Sequence, residues 1–327
     1  MDSPPANGCS AKLQPLIVIA GPTGSGKSAL ALELASALSG EIVNFDSLQL
    51  YRGFDVGTAK IPISARCAIP HHLFDVLEPA EGYSAGDYAR HARGVIAEIS
   101  ARGQLPIAVG GSGFYLRALI EGLPELPSRD TALRARLEAR EHRRPGSLHR
   151  LLARLEPFAA SRIHPRDVQK TIRALEVRLL TRSGLPPRET AEPLEDYKTL
   201  KLGLNPDRAE LFKRLNARVD AMFSGGLIEE VQELLDRGAT GEEKPFESLG
   251  YKQALQYIRG QGTLQQAISS TQIETRQYAK RQWTWFRREP DMHWLEGFGD
   301  DPGIVQRALG LARGLLNTPL TQPSVES

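Results

Sequence analysis

Gly21-Pro-Thr-Gly-Ser-Gly-Lys27-Ser28 follows the apolar run Leu16-Ile-Val-Ile-Ala20 and leads into an Ala/Leu-rich stretch, Ala29 to Leu38. The order reads as strand, glycine loop, helix, and the loop matches G-x-x-x-x-G-K-[ST] at every fixed position. Glycines let successive N–H groups turn inward, and the helix N-terminus adds a partial positive charge to the full one on Lys27. Gly21, Pro22, Thr23, Gly24, Ser25, Gly26, Lys27 and Ser28 are therefore expected to hold a di- or triphosphate, with the Ser28 hydroxyl available to Mg²⁺. The same loop is a nucleotide-binding, often ATP-binding, signature, so it does not say which phosphorylated molecule it holds.

Working outward, Glu41-Ile-Val-Asn-Phe45 reads as a second strand, ending at Asp46-Ser-Leu-Gln49. An amphipathic helix is expected from about Tyr83 to Arg102 with Ser84 as its cap. Leu105-Pro-Ile-Ala-Val109 then reads as a third strand, breaking into Gly110-Gly-Ser-Gly113 before a helix from Phe114 to Glu121. Strands alternating with helices at this spacing predict an α/β fold, a P-loop NTPase-like parallel sheet core. After Leu123-Pro-Glu-Leu-Pro127 the pattern changes to helical periodicity loaded with arginine, with no strand-like run to about Pro187, which predicts an inserted all-helical subdomain. Leu200 to Asn205 reads as a strand returning to the sheet, followed by helices at about 208–223, 227–237, 251–258 and 264–288. The expected division is 12–123 and 200–316 for the core, 124–199 for the insertion, and disordered tails at 1–11 and 317–327. His71-His72 falls in a loop-like stretch; adjacent histidines on an extended chain point to opposite faces, so a structural role is favoured over metal binding.

An ordinary P-loop ATPase adds an acid at the end of another strand to position Mg²⁺ and water. The strand ending at Val109 runs into Gly110-Gly-Ser-Gly instead, which weakens a hydrolase reading. The nearest acid in an equivalent place is Asp46, at the carboxyl edge where ligands bind. A metal ligand, a cap and a general base are all open to it.

Charge adds a second line. The 327 residues carry 41 Lys+Arg against 39 Asp+Glu, a net of +2. Between Arg129 and Arg188, however, 14 Arg and 1 Lys face 6 acids, a net of +9 that leaves −7 for the remainder. Such separation fits a segment facing a polyanion. Two cysteines are too few for a disulfide framework, the opening residues do not read as a signal peptide, and no apolar run approaches the ~20 residues of a membrane span. A cytoplasmic protein is expected.

These residues resemble the bacterial tRNA dimethylallyltransferases, also called isopentenylpyrophosphate:tRNA transferases. The resemblance rests on 21–28, FDSLQLYRGFDVGTAK (45–60), PHHLFDVLEP (70–79), YSAGDYAR (83–90), PIAVGGSGFYLRALIEGL (106–123), HPRDVQKTIRALEV (164–177), RVDAMFSGGLIEEV (218–231), SLGYKQ (248–253) and TRQYAKRQWTWFR (275–287). It implies transfer of a dimethylallyl group from dimethylallyl diphosphate to N6 of the adenosine 3′ of the anticodon, position 37, in tRNAs reading codons that begin with U. The loop would then hold a diphosphate leaving group, with Mg²⁺ as cofactor. Asp46 matches the family's base and Arg218 its catalytic arginine, with Lys27 and Ser112 completing the catalytic set; Ser112 and Ser28 stand where the family often has Thr. The resemblance places tRNA contacts at Asp46, Ser47, Leu48, Gln49, Ser112, Arg134, Gln169, Lys170, Thr171, Ile172 and Arg173, and implies a monomer that binds the anticodon stem-loop. Arg276 to Arg288, with five basic residues among Tyr278, Trp283, Trp285 and Phe286, could add to that footprint or bury its aromatics in a core. The alternatives are an adenylate isopentenyltransferase acting on free AMP or ATP, a P-loop kinase, and an RNA-binding module without catalysis.

Overall fold

The computed structural model describes residues 13–184 and 191–317. The expected tails lie outside the described residues, except Asn317, which closes the last helix.

Six strands form one parallel sheet: β1 (Gln14–Ala20), β2 (Gly40–Asn44), β3 (His71–His72), β4 (Leu105–Gly110), β5 (Tyr197–Leu204) and β6 (Met292–Leu295), in the order β3-β2-β4-β1-β5-β6. A parallel sheet covered on both faces must be apolar on both, and β1 alternates accordingly. Leu16, Val18 and Ala20 enter one core with Phe45, Tyr88 and Phe286. Ile17 and Ile19 enter the other with Leu30, Leu34 and Ala308. The helices of this unit are α1 (Lys27–Leu38), α2 (Ala85–Ala101) and α3 (Gly113–Ile120) before the insertion. After it come α8 (Arg208–Ser224), α9 (Leu227–Asp236), α10 (Tyr251–Ile258), α11 (Leu264–Phe286) and α12 (Pro302–Asn317). Ser84 caps α2 in a reciprocal box with Asp87, as its position predicts.

Three details depart from the sequence reading. Helix α1 ends on Ser39 in the left-handed conformation, and Gly40 opens β2 instead of closing the helix. His71-His72 is not loop but an edge strand on β2, where His72 Nε2 lies 2.6 Å from Glu41 Oε2; among the described residues no cluster of three or more metal-ligating side chains exists. The short strand β6 and helix α12 carry no pattern that the sequence reading singled out.

A second compact unit spans Glu121–Pro193, and the first comprises the chain up to Ile120 and from Leu194 onward. The sequence bound at 199 is too late: Leu194 N already donates to Ile120 O at 2.8 Å, and β5 begins at Tyr197. Within these bounds the second unit carries a net +5 and the rest −3, because Glu121, Glu125, Glu189 and Glu192 join it. It contains α4 (Thr131–Arg143), α5 (Ser147–Leu155), α6 (Pro157–Arg162) and α7 (Val168–Thr181), around Leu137, Leu148, Leu152, Ile172 and Leu175.

Glu176 ties this small core together. Fully buried, it accepts from Arg134 Nε at 2.9 Å, Arg134 Nη2 at 3.0 Å, Arg173 Nη1 at 2.6 Å and Asp130 N at 2.8 Å. Burial alone would raise its pKa, but the hydrogen bonds from Arg134 and Arg173 outweigh it and hold the carboxyl at about 2. The stabilisation is therefore present above the unfolded value near 4.5 and is lost as pH falls toward 2. Glu176→Gln should loosen this unit by roughly 3 kcal/mol, about two orders of magnitude in the opening equilibrium. Hydrogen exchange of the α7 amides measures it, and exchange equal to that of the unmodified protein would contradict this role.

Candidate active site

The phosphate loop leaves β1 at the carboxyl edge of the sheet, and its last two residues, Lys27 and Ser28, open α1. Gly26 precedes it in the left-handed region, with φ of 88°, and a Cβ there would stand 2.7 Å from Gly299 N. Only glycine meets both demands without displacement. Residues beyond the motif support the loop: Gly299 N donates to Ser25 O at 2.8 Å, and Asp300 beside it takes both guanidinium nitrogens of Arg214, at 2.9 and 2.8 Å. Ser25 is fully buried and its hydroxyl has no partner among the described residues. Thr23 N, in contrast, is satisfied by the Gln282 side chain at 2.8 Å.

Lys27 Nζ folds back to Pro22 O at 2.8 Å. Burial lowers its pKa to about 8; Asp46 opposes the shift and Arg218 adds to it. Arg218, on α8, is lowered by burial too, and again Asp46 opposes. Two cations and one carboxylate thus share a site withdrawn from water. Such an excess of positive charge is what a diphosphate would relieve.

Asp46 stands just past β2. Asn44 Oδ1 accepts from Asp46 N at 2.7 Å, while Asn44 Nδ2 donates to Asp46 O at 3.0 Å and Leu73 O at 2.8 Å, so a buried amide fixes the backbone. One carboxylate oxygen, Oδ1, accepts from Leu48 N at 3.0 Å. Asp46 therefore does close a turn, but Oδ2 has no hydrogen-bond partner among the described residues. Ser112, past β4, accepts from Ser47 N at 3.1 Å and lies 3.3 Å from Ser47 Oγ. Gln49 Nε2 and Arg218 Nη2 converge on one carbonyl, Thr58 O, at 3.1 and 3.4 Å. The loop from 46 to 60 is pinned below by Lys60, whose ammonium bonds Tyr51 O, Asp55 at 2.7 Å and Asp75 at 2.6 Å.

The sheet thus gathers the loop residues 21–28, Asp46, Ser47, Leu48, Gln49, Ser112 and Arg218 within one unit. Residues 49–289 match the IPP transferase family. The chain belongs to that family.

A tRNA dimethylallyltransferase of Solibacter usitatus is 57% identical over 297 residues, 90% of this chain and 97% of its own length. One of Koribacter versatilis is 49% identical over 302 residues, 91% of this chain and 98% of its own. Among solved structures, the full-length tRNA isopentenylpyrophosphate transferase of Bacillus halodurans is 36% identical with a TM-score of 0.69, covering 93% of this chain and 97% of that one. A eukaryotic dimethylallyltransferase acting on tRNA is 30% identical with a TM-score of 0.79, covering 94% and 81%.

The second unit of this IPP transferase needs one correction to the sequence reading. Thr171 and Ile172 are 1% and 0% exposed, on the inward stripe of α7, so their side chains offer no surface to RNA. Arg134 is paired with Glu176, and Arg173 bonds both Glu176 and Pro127 O at 3.0 Å, so part of each guanidinium is taken up within the unit. Gln169 and Lys170 are exposed, with Lys170 Nζ paired to Asp167 Oδ2 at 2.7 Å. On α11 the burial alternative holds for Trp283 and Phe286, at 7% and 0% exposure, while Lys280, Arg281, Arg287 and Arg288 are exposed. Tyr278 and Trp285 are only partly buried; burial raises the pKa of Tyr278, and Asp46 adds to the shift.

The lowered pKa of Lys27 has a measurable consequence. Below about 8 the ammonium is charged in the free protein; above it Lys27 is neutral until an anion arrives, so binding then takes up a proton. Diphosphate affinity should fall by up to about tenfold per pH unit above that value, beyond any fall seen with Lys27→Met. Calorimetry in buffers of different ionisation heat checks it; identical proton uptake by the two proteins would contradict the buried-lysine reading.

Proposed function

We propose that this protein is a tRNA dimethylallyltransferase that acts on N6 of adenosine 37, 3′ of the anticodon, in tRNAs reading codons that begin with U. The observation that carries the reading is the pairing of a phosphate loop with Asp46, whose Oδ2 is open, across a sheet edge where β4 ends in glycine and serine instead of a water-positioning acid. A kinase or ATPase has less use for that arrangement.

In the proposed reaction the allylic C1–O bond of dimethylallyl diphosphate breaks and its electron pair leaves on the diphosphate. A bond forms between C1 and the adenine N6, and an N6 proton passes to Asp46. The exocyclic amine is a weak nucleophile because its lone pair is delocalised into the purine, so a positioned base helps. Negative charge grows on the leaving oxygens, and Lys27, Arg218 and the loop N–H groups are the donors that meet it. Ser28 stands in the first turn of α1. With no cluster of carboxylates among the described residues, a divalent ion would be held there largely by diphosphate oxygens and water, a donor set that suits Mg²⁺. Bound there, Mg²⁺ would share the charge of the leaving diphosphate. Ser47, Leu48, Gln49 and Ser112 would position the base, and the exposed Gln169 and Lys170 would meet RNA from the second unit. No described helix is long and apolar enough to cross a membrane. Action on tRNA in the cytoplasm, as a monomer, completes the proposal.

The test is to incubate the protein with Mg²⁺ and labelled dimethylallyl diphosphate, offering tRNA, AMP or no acceptor. Label should enter tRNA alone; label on AMP but not on tRNA would establish the adenylate-specific alternative instead. Asp46→Ala should slow transfer by roughly 10²- to 10⁴-fold while tRNA binding, followed by filter retention, changes little. Equal loss of both would reduce Asp46 to a structural residue.

A further inference from the structure

Gln282 lies within α11, far in sequence from every element that it joins, and is only 4% exposed. Its Oε1 accepts from Thr23 N in the phosphate loop at 2.8 Å, and its Nε2 donates to Gly111 O, just past β4, at 2.9 Å. The neighbours dictate the orientation of the amide, because reversing it would set donor against donor and acceptor against acceptor. The residue after Gly111 is Ser112, whose hydroxyl accepts from Ser47 N at 3.1 Å, and Ser47 follows Asp46. A continuous chain of hydrogen bonds therefore runs from the phosphate loop through one buried side chain to the backbone beside Asp46.

Sheet order makes that chain necessary. The phosphate loop follows β1, Asp46 follows β2, and β4 lies between these strands, so no direct strand pairing fixes one loop against the other. Fit at the junction is close: a Cβ on Gly111 would come within 2.3 Å of Gln282 Nε2, so glycine is required there for the amide to approach. Tyr278 stands one turn earlier on α11. The far end of α11 is anchored independently, since Lys201 on β5 bonds Glu289 at 2.9 Å and Pro290 O at 3.3 Å.

We propose that Gln282 is a positioning residue for transfer: its amide sets the separation between the loop that holds the diphosphate and the Gly111–Ser112–Ser47 segment that orients Asp46. This rests on the proposed transfer reaction. Attack of the amine on the allylic carbon needs donor and acceptor held at one separation, and a misplacement of about 1 Å is worth roughly a hundredfold in rate. Glutamine suits the position because one planar group supplies both a donor and an acceptor. Glutamate would set an oxygen against Gly111 O and bring negative charge to the diphosphate, whereas asparagine is short by one methylene.

The decisive variant is Gln282→Met, which keeps length and volume and removes both bonds. Three readouts are taken on the full chain: single-turnover transfer, equilibrium binding of diphosphate and of tRNA, and hydrogen exchange at Thr23. The expected result is a loss of about 30- to 100-fold in the transfer rate, with both binding constants within about threefold and faster exchange at Thr23. A transfer rate within threefold of the unmodified protein would overturn the proposal, as would unchanged exchange at Thr23. Parallel loss of rate and of both affinities would also overturn it, showing a merely structural brace. Should Gln282→Met fail to fold, Gly111→Ala displaces the amide from the other side; the same three readouts then support or overturn the proposal by the same outcomes. Absence of transfer by the unmodified protein marks failure of the proposed reaction itself, whereas transfer that Gln282→Met leaves untouched overturns the positioning role alone.

Discussion

Two cations withdrawn from water beside a single carboxylate set the terms for the catalytic unit. Lys27 and Arg218 are both lowered by burial, and Asp46 opposes the shift in each. Bringing them together consumes solvation free energy that a single carboxylate restores only in part. The sheet makes the juxtaposition possible: parallel strands deliver the ends of β1, β2 and β4 to one edge, and α8 brings Arg218 to them. An anion with two phosphates would supply what the three side chains lack, and so would join the electrostatics of the site to the proposed chemistry of a departing diphosphate.

The same logic explains which parts of the fold are rigidly specified. Asn44 fixes the backbone of Asp46, Lys60 anchors the loop that carries Gln49 and Thr58, and the Arg214–Asp300 pair backs the phosphate loop. Each fixes a loop from outside the motif it carries, by a hydrogen bond or an ion pair.

That arrangement decides how far the sequence could be read. Strand, loop and helix around residues 16–38 were legible because the signal is local: five apolar residues, three glycines, a lysine and an Ala/Leu helix in order. Strands β2, β4 and β5 and helices α2, α8 and α11 were legible by their apolar patterning, β6 and α12 were not, and Asp46 was legible by its position past a strand. The two-residue edge strand at His71 was not, because nothing local separates it from a loop. Gln282 was hidden for a different reason: a glutamine in a basic, aromatic helix is ordinary until tertiary packing buries it between two loops. Arg134 and Arg173 entered the reading through the resemblance, and no local pattern announces that a glutamate 42 residues from Arg134 binds both. Thr171 and Ile172 fell inside a family segment but on the inward stripe of α7, which a motif cannot reveal.

Charge counted along the sequence was likewise only partly a guide. The +9 of residues 129–188 becomes +5 when the compact unit sets the bounds, still opposite in sign to the rest. Its exposed members, not the total, are what a polyanion would meet.

Mass spectrometry of tRNA digested after reaction with dimethylallyl diphosphate tests the central claim most directly, because it locates the transferred group to one nucleotide. The account predicts a gain of one C₅H₈ unit on the base of the adenosine immediately 3′ of the anticodon, with every other nucleotide unchanged. A gain on ribose or on another base, or unmodified tRNA beside prenylated AMP, would contradict it.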